Sequence, residues 1–171
     1  MDSIQHSKPP TCPPTDETAS PRGFRICRSP SSIANDGLRN TTTCNTTMSD
    51  VKCPCGSGLP LKRCCGPFLD GTAYPDSAET LMRSRFTAFT RGNLPYLRKT
   101  WDPNTCPELT PDDLQTQWTR LEVLRSTQAA DKAIVEFRAW YRDNGTEQAM
   151  HEISLFKLHK KRWVYVAPLQ G

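Results

Sequence analysis

The chain has 171 residues, with 22 lysines and arginines against 18 aspartates and glutamates, for a net charge of +4. That length suits one domain with extensions, and so mild a balance argues against a nucleic-acid binder with its basic residues massed on one face. No stretch approaches the roughly 20 apolar residues of a membrane-spanning helix, so the sequence predicts a soluble, cytoplasmic protein without membrane insertion.

Residues 1–47 contain Pro9-Pro10, Pro13-Pro14, Pro21 and Pro30, then Thr41-Thr42-Thr43 and Thr46-Thr47, with little apolar periodicity. A segment of this kind cannot bury enough surface to offset its ordering entropy, so it reads as a disordered tail. An organelle transit peptide is a second reading, suggested by Arg22, Arg25, Arg28 and Arg39 and opposed by Asp2, Asp16, Glu17 and Asp36. A start placed too far upstream is the favoured third, since Met48 stands just before the first motif. Cys12, Cys27 and Cys44 show no paired spacing and are read as incidental.

The segment 48–70 carries four of the eight cysteines: Cys53 and Cys55, then eight residues, then Cys64 and Cys65. Four thiolates suit a tetrahedral site for a borderline-soft ion such as zinc, with iron as the alternative. Gly56, Ser57, Gly58 and Pro60 supply turn chemistry for the return between the pairs, and Gly66 an abrupt exit. Adjacent cysteines pair with each other only across a strained peptide. Cross-pairing of the two ends remains open in an oxidising compartment, although no secretory signal is visible. Lys52, Lys62 and Arg63 can offset the net negative charge of a divalent ion held by four thiolates.

Residues 71–171 read as an α+β domain. Asp76-Ser77-Ala78-Glu79 predicts a helix start, with Asp76 as cap and Glu79 in the capping-box position. Leu81, Met82, Arg85, Phe86 and Phe89 recur at helical spacing, and Gly92 ends the run. Asn93 caps a short helix through Tyr96, Leu97 and Thr100, stopped by Trp101-Asp102-Pro103, and Thr110-Pro111-Asp112-Asp113 starts another. Strands follow over about 121–127, 133–141, 147–158 and 162–167, with turns at Asp143-Asn144-Gly145 and Lys160-Lys161. Helices followed by an antiparallel meander predict helices packed on one sheet.

Cys53-Pro54-Cys55-Gly56-Ser57-Gly58, followed by Lys62-Arg63-Cys64-Cys65-Gly66, resembles the SEC-C motif, first known from the metal-binding tail of the SecA translocation ATPase. The resemblance implies Cys53, Cys55, Cys64 and Cys65 as ligands of a metal, usually zinc. Leu81-Met82-Arg83-Ser84-Arg85-Phe86-Thr87-Ala88-Phe89 resembles the bacterial YchJ family, as do His151-Glu152-Ile153-Ser154-Leu155-Phe156 and Trp163-Val164-Tyr165. That similarity spans about 52–167. It implies a cone-shaped α+β domain like that of nuclear transport factor two (cystatin-like, with a curved antiparallel sheet) behind the knuckle. Many members carry a second knuckle at the C-terminus, and this chain ends at Gly171 without one. No established reaction comes with the family.

The residues considered for chemistry are Arg83, Arg85, Trp101, Asp102, Tyr141, His151, Glu152, Ser154 and Tyr165. Adjacent strand residues point to opposite faces, so His151 and Glu152 are expected not to share a pocket. Glu152 on a mostly apolar face suits proton transfer, unless it pairs with Arg83 or Arg85 to fix the helix onto the sheet, the favoured expectation. His151 is expected as an ordinary strand residue, Cys106 as an ordinary cysteine, and the four tryptophans as core and rim. No catalytic residue is assigned. The leading functional expectation is an accessory or adaptor protein whose knuckle engages a protein or ribosomal partner. A small-ligand binder or enzyme of isomerase or dehydratase type using the cone pocket is the alternative, and metal handling or redox sensing by the cysteines a third.

Overall fold

A computed structural model describes residues 51–169. The expectations for residues 1–47 and for a start at Met48 lie outside the described residues. A short ribbon opens the described chain: Lys52 bridges Pro60 in antiparallel fashion, and Leu61 N donates to Val51 O at 2.8 Å. A single 3-10 turn at Leu61–Arg63 leads into helix α1, Gly66–Leu69, with Pro67 in its first turn. Helix α2 spans Ala78–Thr90, and helix α3 spans Leu94–Lys99. Another 3-10 turn at Pro111–Leu114 precedes four strands: β1 Gln117–Ala129, β2 Lys132–Asp143, β3 Thr146–His159 and β4 Arg162–Pro168.

The strands form one antiparallel sheet in sequential order, β1-β2-β3-β4, as expected of a meander. Irregularities between Trp118 and Arg120 and between Val123 and Arg125 bend β1, and another lies at Leu155/Phe156 in the β3–β4 pairing. Bulges of this kind increase local twist and curve a sheet. Two of the hairpins turn through paired left-handed residues, Asn144-Gly145 and Lys160-Lys161. Tight two-residue hairpins of this kind require such angles.

Packing follows strand alternation. On β2, Val135, Phe137 and Ala139 are buried while Ile134 and Arg138 face out. On β3 the inward row continues through Glu152, Ser154 and Phe156. Helix α2 lays Leu81, Met82 and Phe86 on this face, making the main core with Phe156 and Trp163. Burying such a row contributes roughly 1.5–3 kcal/mol per large side chain. A second cluster of Ala88, Tyr96, Leu97 and Leu109 ties α3 to the other side of α2.

Three details differ from the sequence reading. Ser77, not Asp76, caps α2: its Oγ accepts from Thr80 N at 3.2 Å, and the Asp76 carbonyl instead accepts from Trp163 Nε1. The start at Thr110 yields one 3-10 turn, closed by the Thr110–Asp113 capping box. Leu158, which period-two alternation sets on the same face of β3 as Glu152 and Phe156, is 37% exposed at the strand end.

Candidate functional site

Two places bring chemistry-bearing side chains together, the knuckle and the interior of the cone. In the knuckle the Cys53 amide donates to Leu59 O at 2.8 Å and Gly56 N to Cys53 O, so the chain reverses within seven residues. Gly56 has φ +79°, and a Cβ there would stand 3.1 Å from Leu121 O of β1. Gly66 does a different job from the one its sequence context suggested. It carries no left-handed angle; a Cβ would sit 2.8 Å from Leu61 O, so only glycine allows Cys65 to follow Cys64 into the cluster.

The four thiols of Cys53, Cys55, Cys64 and Cys65 lie within 4.8 Å of one another. Cys55 and Cys64 Sγ are 3.5 Å apart, and Cys64 and Cys65 Sγ 3.9 Å. A sulfur tetrahedron with bonds of about 2.3 Å has edges of about 3.8 Å. Spacing and donor set therefore fit a metal ion, and all four cysteines are free thiols. Cys53, Cys55 and Cys65 are buried, while Cys64 is partly open beside the Ser57 hydroxyl at 3.1 Å. Hydrogen bonds from the Cys55 and Cys65 thiols hold Cys53 far below the usual thiol range. Sharing a hydrogen bond with Cys53 pushes Cys65 up, and burial pushes Cys64 up.

Helix α2 grips this cluster. Arg83 Nη1 donates to Cys55 O at 3.2 Å while Arg83 pairs with Glu79 at 2.8 Å, and Thr87 Oγ1 lies 3.6 Å from Cys53 Sγ. Lys52, Lys62 and Arg63 are exposed around it.

The other face of α2 borders a cavity of about 200 Å3. Its walls include Phe86, Phe89 and Trp118, with Arg85, Glu152 and Tyr165 as the polar members. Arg85 is only 3% exposed, its Nη1 donates to Leu97 O and Thr100 Oγ1, and its guanidinium carbon lies 4.7 Å from the ring centroids of both Trp101 and Tyr165. Burial pulls its pKa down to about 10, leaving it charged at neutral pH.

The expected pairing of Glu152 with Arg83 or Arg85 does not form. Glu152 Oε1 instead accepts from the Ser154 and Tyr165 hydroxyls, the latter at 3.2 Å. Burial, reinforced by Glu152, pushes the Tyr165 phenol up, so it stays a donor. The ion pairs among the described residues are Arg83–Glu79, His151–Glu136 and Lys157–Asp102.

Of the other candidates, His151 faces away from the cavity and meets Glu136 at 2.9 Å on the exposed side, as alternation required. Tyr141 packs on Trp118 with ring centroids 5.6 Å apart, and Asp102 is a buried structural anchor. Trp101 and Trp118, expected as core and rim, line the cavity, and both indole N–H groups are buried without an acceptor among the described residues. Met82, marked in the sequence only by helical spacing, also lines the cavity, as does Met150, which strand alternation sets on the same face of β3 as Glu152.

Comparison with known proteins agrees with these two units. A family model described as "YchJ, middle NTF2-like domain" matches residues 77–168, and the SEC-C motif matches residues 52–67. A UPF0225 protein of Cupriavidus pinatubonensis is 41% identical over 121 residues, covering 67% of this chain and 85% of that protein. One from Streptomyces coelicolor is 40% identical over 121 residues, covering 69% and 94%. The solution structure of a SEC-C motif containing protein from Rhodopseudomonas palustris superposes with TM-score 0.66 at 33% identity, covering 71% of this chain and 99% of that one. The crystal structure of a SEC-C motif containing protein from Psychrobacter arcticus gives 0.59 at 29% identity, covering 72% and 84%. With its four-cysteine knuckle seated on an NTF2-like cone, this chain belongs to the YchJ-like UPF0225 family.

Proposed function

We propose that the protein binds a small ligand in the cone cavity, and that the knuckle holds a structural zinc ion which fixes one wall of that cavity. The observation that carries this reading is the cavity itself. It is neither filled by side chains nor closed by an Arg85–Glu152 ion pair, although both residues line it. A pocket walled by aromatics with a few convergent polar groups is the usual form of a small-molecule site. Four thiolates leave no open coordination position, so the ion's role there is to hold the chain and not to activate water. Free thiols at such a site suit the reducing cytoplasm.

The test is a set of ring-sized compounds followed by protein NMR on the metal-loaded chain. Shifts should gather on Phe86 and Phe89 of α2 and on Met150, and a Met150→Trp variant, which fills the lining, should lose them. Shifts that persist unchanged in the filled variant would place binding elsewhere.

One observation favours the adaptor reading as a companion role. Val51 is 60% and Leu59 49% exposed on the knuckle ribbon, next to the exposed Lys52, Lys62 and Arg63. An apolar tip ringed by cations suits an acidic, partly apolar protein surface. No small molecule should compete with that contact.

A further inference from the structure

Resting on the reading of the cone interior as a ligand site, we infer that its ligand is a small hydroxylated aromatic acid, with the carboxylate at Arg85 and the hydroxyl at Glu152. Size comes first. About 200 Å3 is a little more than the roughly 150 Å3 cavity that accommodates benzene, so one substituted ring fits and a fused polycycle does not. The walls contributed by Phe86, Phe89 and Trp118 suit the faces and edges of such a ring.

The polar groups specify the substituents. Arg85 is a buried cation with no carboxylate within 4.0 Å among the described residues. Among the described residues its hydrogen bonds run from Nη1 to neutral oxygens, and the rings of Trp101 and Tyr165 give it partial compensation. A buried charge left without a counter-ion is costly, and a carboxylate brought by the ligand offsets that cost through charge-assisted bonds. Arg85 is thus the strongest donor of the lining, which favours an acceptor-bearing anionic ligand over an amine.

Glu152 supplies the one exception. Its Oε1 is taken by the Ser154 and Tyr165 hydroxyls, while Oε2 makes no hydrogen bond among the described residues. Tyr165 contacts both charged groups, its ring centroid 4.7 Å from the Arg85 guanidinium carbon and its hydroxyl 3.2 Å from Glu152 Oε1. A cation and a carboxylate lining one apolar cavity suit a ring that carries a carboxylate at one position and a donor hydroxyl at another. A plain anion would meet Glu152 as repulsion, and the ligand hydroxyl converts that contact into a hydrogen bond.

The experiment is calorimetric titration of the full, metal-loaded chain with 4-hydroxybenzoate, benzoate, methyl 4-hydroxybenzoate and 4-cresol. The hydroxy acid is expected to bind tightest, with the ester weaker by about tenfold or more and benzoate weaker by about threefold to tenfold. In Arg85→Met the acid and the ester should converge, and in Glu152→Gln benzoate should approach 4-hydroxybenzoate. If Arg85→Met fails to fold, the acid-to-ester ratio in the wild type and in Arg85→Lys decides. An ester that binds as tightly as the acid, or an acid preference that survives loss of Arg85, overturns the assignment. Binding of 4-cresol without acid preference overturns the ligand class and leaves the cavity reading standing. Silence from every probe overturns both.

Discussion

Replacement of Cys65 by serine is expected to abolish metal binding and to destabilise α2 along with the knuckle. Cys65 is 2% exposed, and its sulfur is 3.9 Å from Cys64 Sγ, so a shorter, harder hydroxyl neither reaches nor suits the site. Structural zinc sites carry apparent binding energies of about 10–16 kcal/mol, and a zinc ion here would support a segment whose own buried apolar content is little more than the cysteines with Leu61 and Leu69. The loss passes into the domain because the knuckle is seated on it. Arg83 holds Cys55 O, Thr87 touches Cys53 Sγ, and Gly56 closes against Leu121 O.

Elemental analysis should therefore give one equivalent of zinc per wild-type chain and little or none in Cys65→Ser. The melting temperature should fall by about 10 °C or more, given about 4 °C per kcal/mol in a domain of this size. Amide exchange should quicken around Arg83 and Thr87 while the β2–β3 ladder stays protected. A variant that keeps its metal would show that Cys65 is not a ligand. One that loses metal but melts as before would show that the knuckle hangs free of the cone.

How much of this was readable in the chain depends on the range of the interaction. Cysteine spacing is local, so the four thiols could be grouped without knowing the fold, and the helical recurrence from Leu81 to Phe89 marked α2 for the same reason. The cap moved by one residue because Ser77 and Asp76 are both good caps. The decision fell to a distant contact, Trp163 Nε1 claiming the Asp76 carbonyl. Strand β1 was read over about 121–127 and runs from Gln117 to Ala129, because much of it is exposed and carries little alternation to mark its ends. The four residues of α1 are too few for any periodic signal.

The cavity was the hardest part to foresee. Alternation put Glu152, Ser154 and Phe156 on one face, but an Arg-x-Arg helix gave Glu152 two cationic partners on paper. Only the assembled structure shows Arg83 committed to Glu79 and Cys55 O and Arg85 to Leu97 O and Thr100. Trp118 precedes the strand read from sequence and so had no assignable face. The donors that give the pocket its chemistry thus came from residues whose partners lie far away in the chain.

Asp102→Ala is the second substitution expected to have a large effect, and its reason is a joint and not a reaction. Asp102 is 1% exposed, its Oδ2 meets Lys157 Nζ at 2.7 Å, and its Oδ1 accepts from Asn104 N. The backbone on either side continues the sheet: Tyr165 N donates to Thr100 O at 2.9 Å and Asp102 N to Tyr165 O at 2.7 Å, covering the edge of β4. Breaking a buried pair costs about 3–5 kcal/mol. Lys157 is 31% exposed and can turn to water, which brings the expected loss to about 2–3 kcal/mol. The double variant Asp102→Ala/Lys157→Met should recover much of that loss, because it removes the stranded ammonium together with its partner. Trp101 sits within this joint and lines the cavity, so the single variant should also weaken cavity binding, while Lys157→Met alone, which leaves the Asn104 and backbone contacts in place, should weaken it less. Denaturant melts of the four proteins in the cycle give the coupling energy directly. A coupling near zero would mean that the pair is incidental and that Asp102 is buried for its backbone contacts alone.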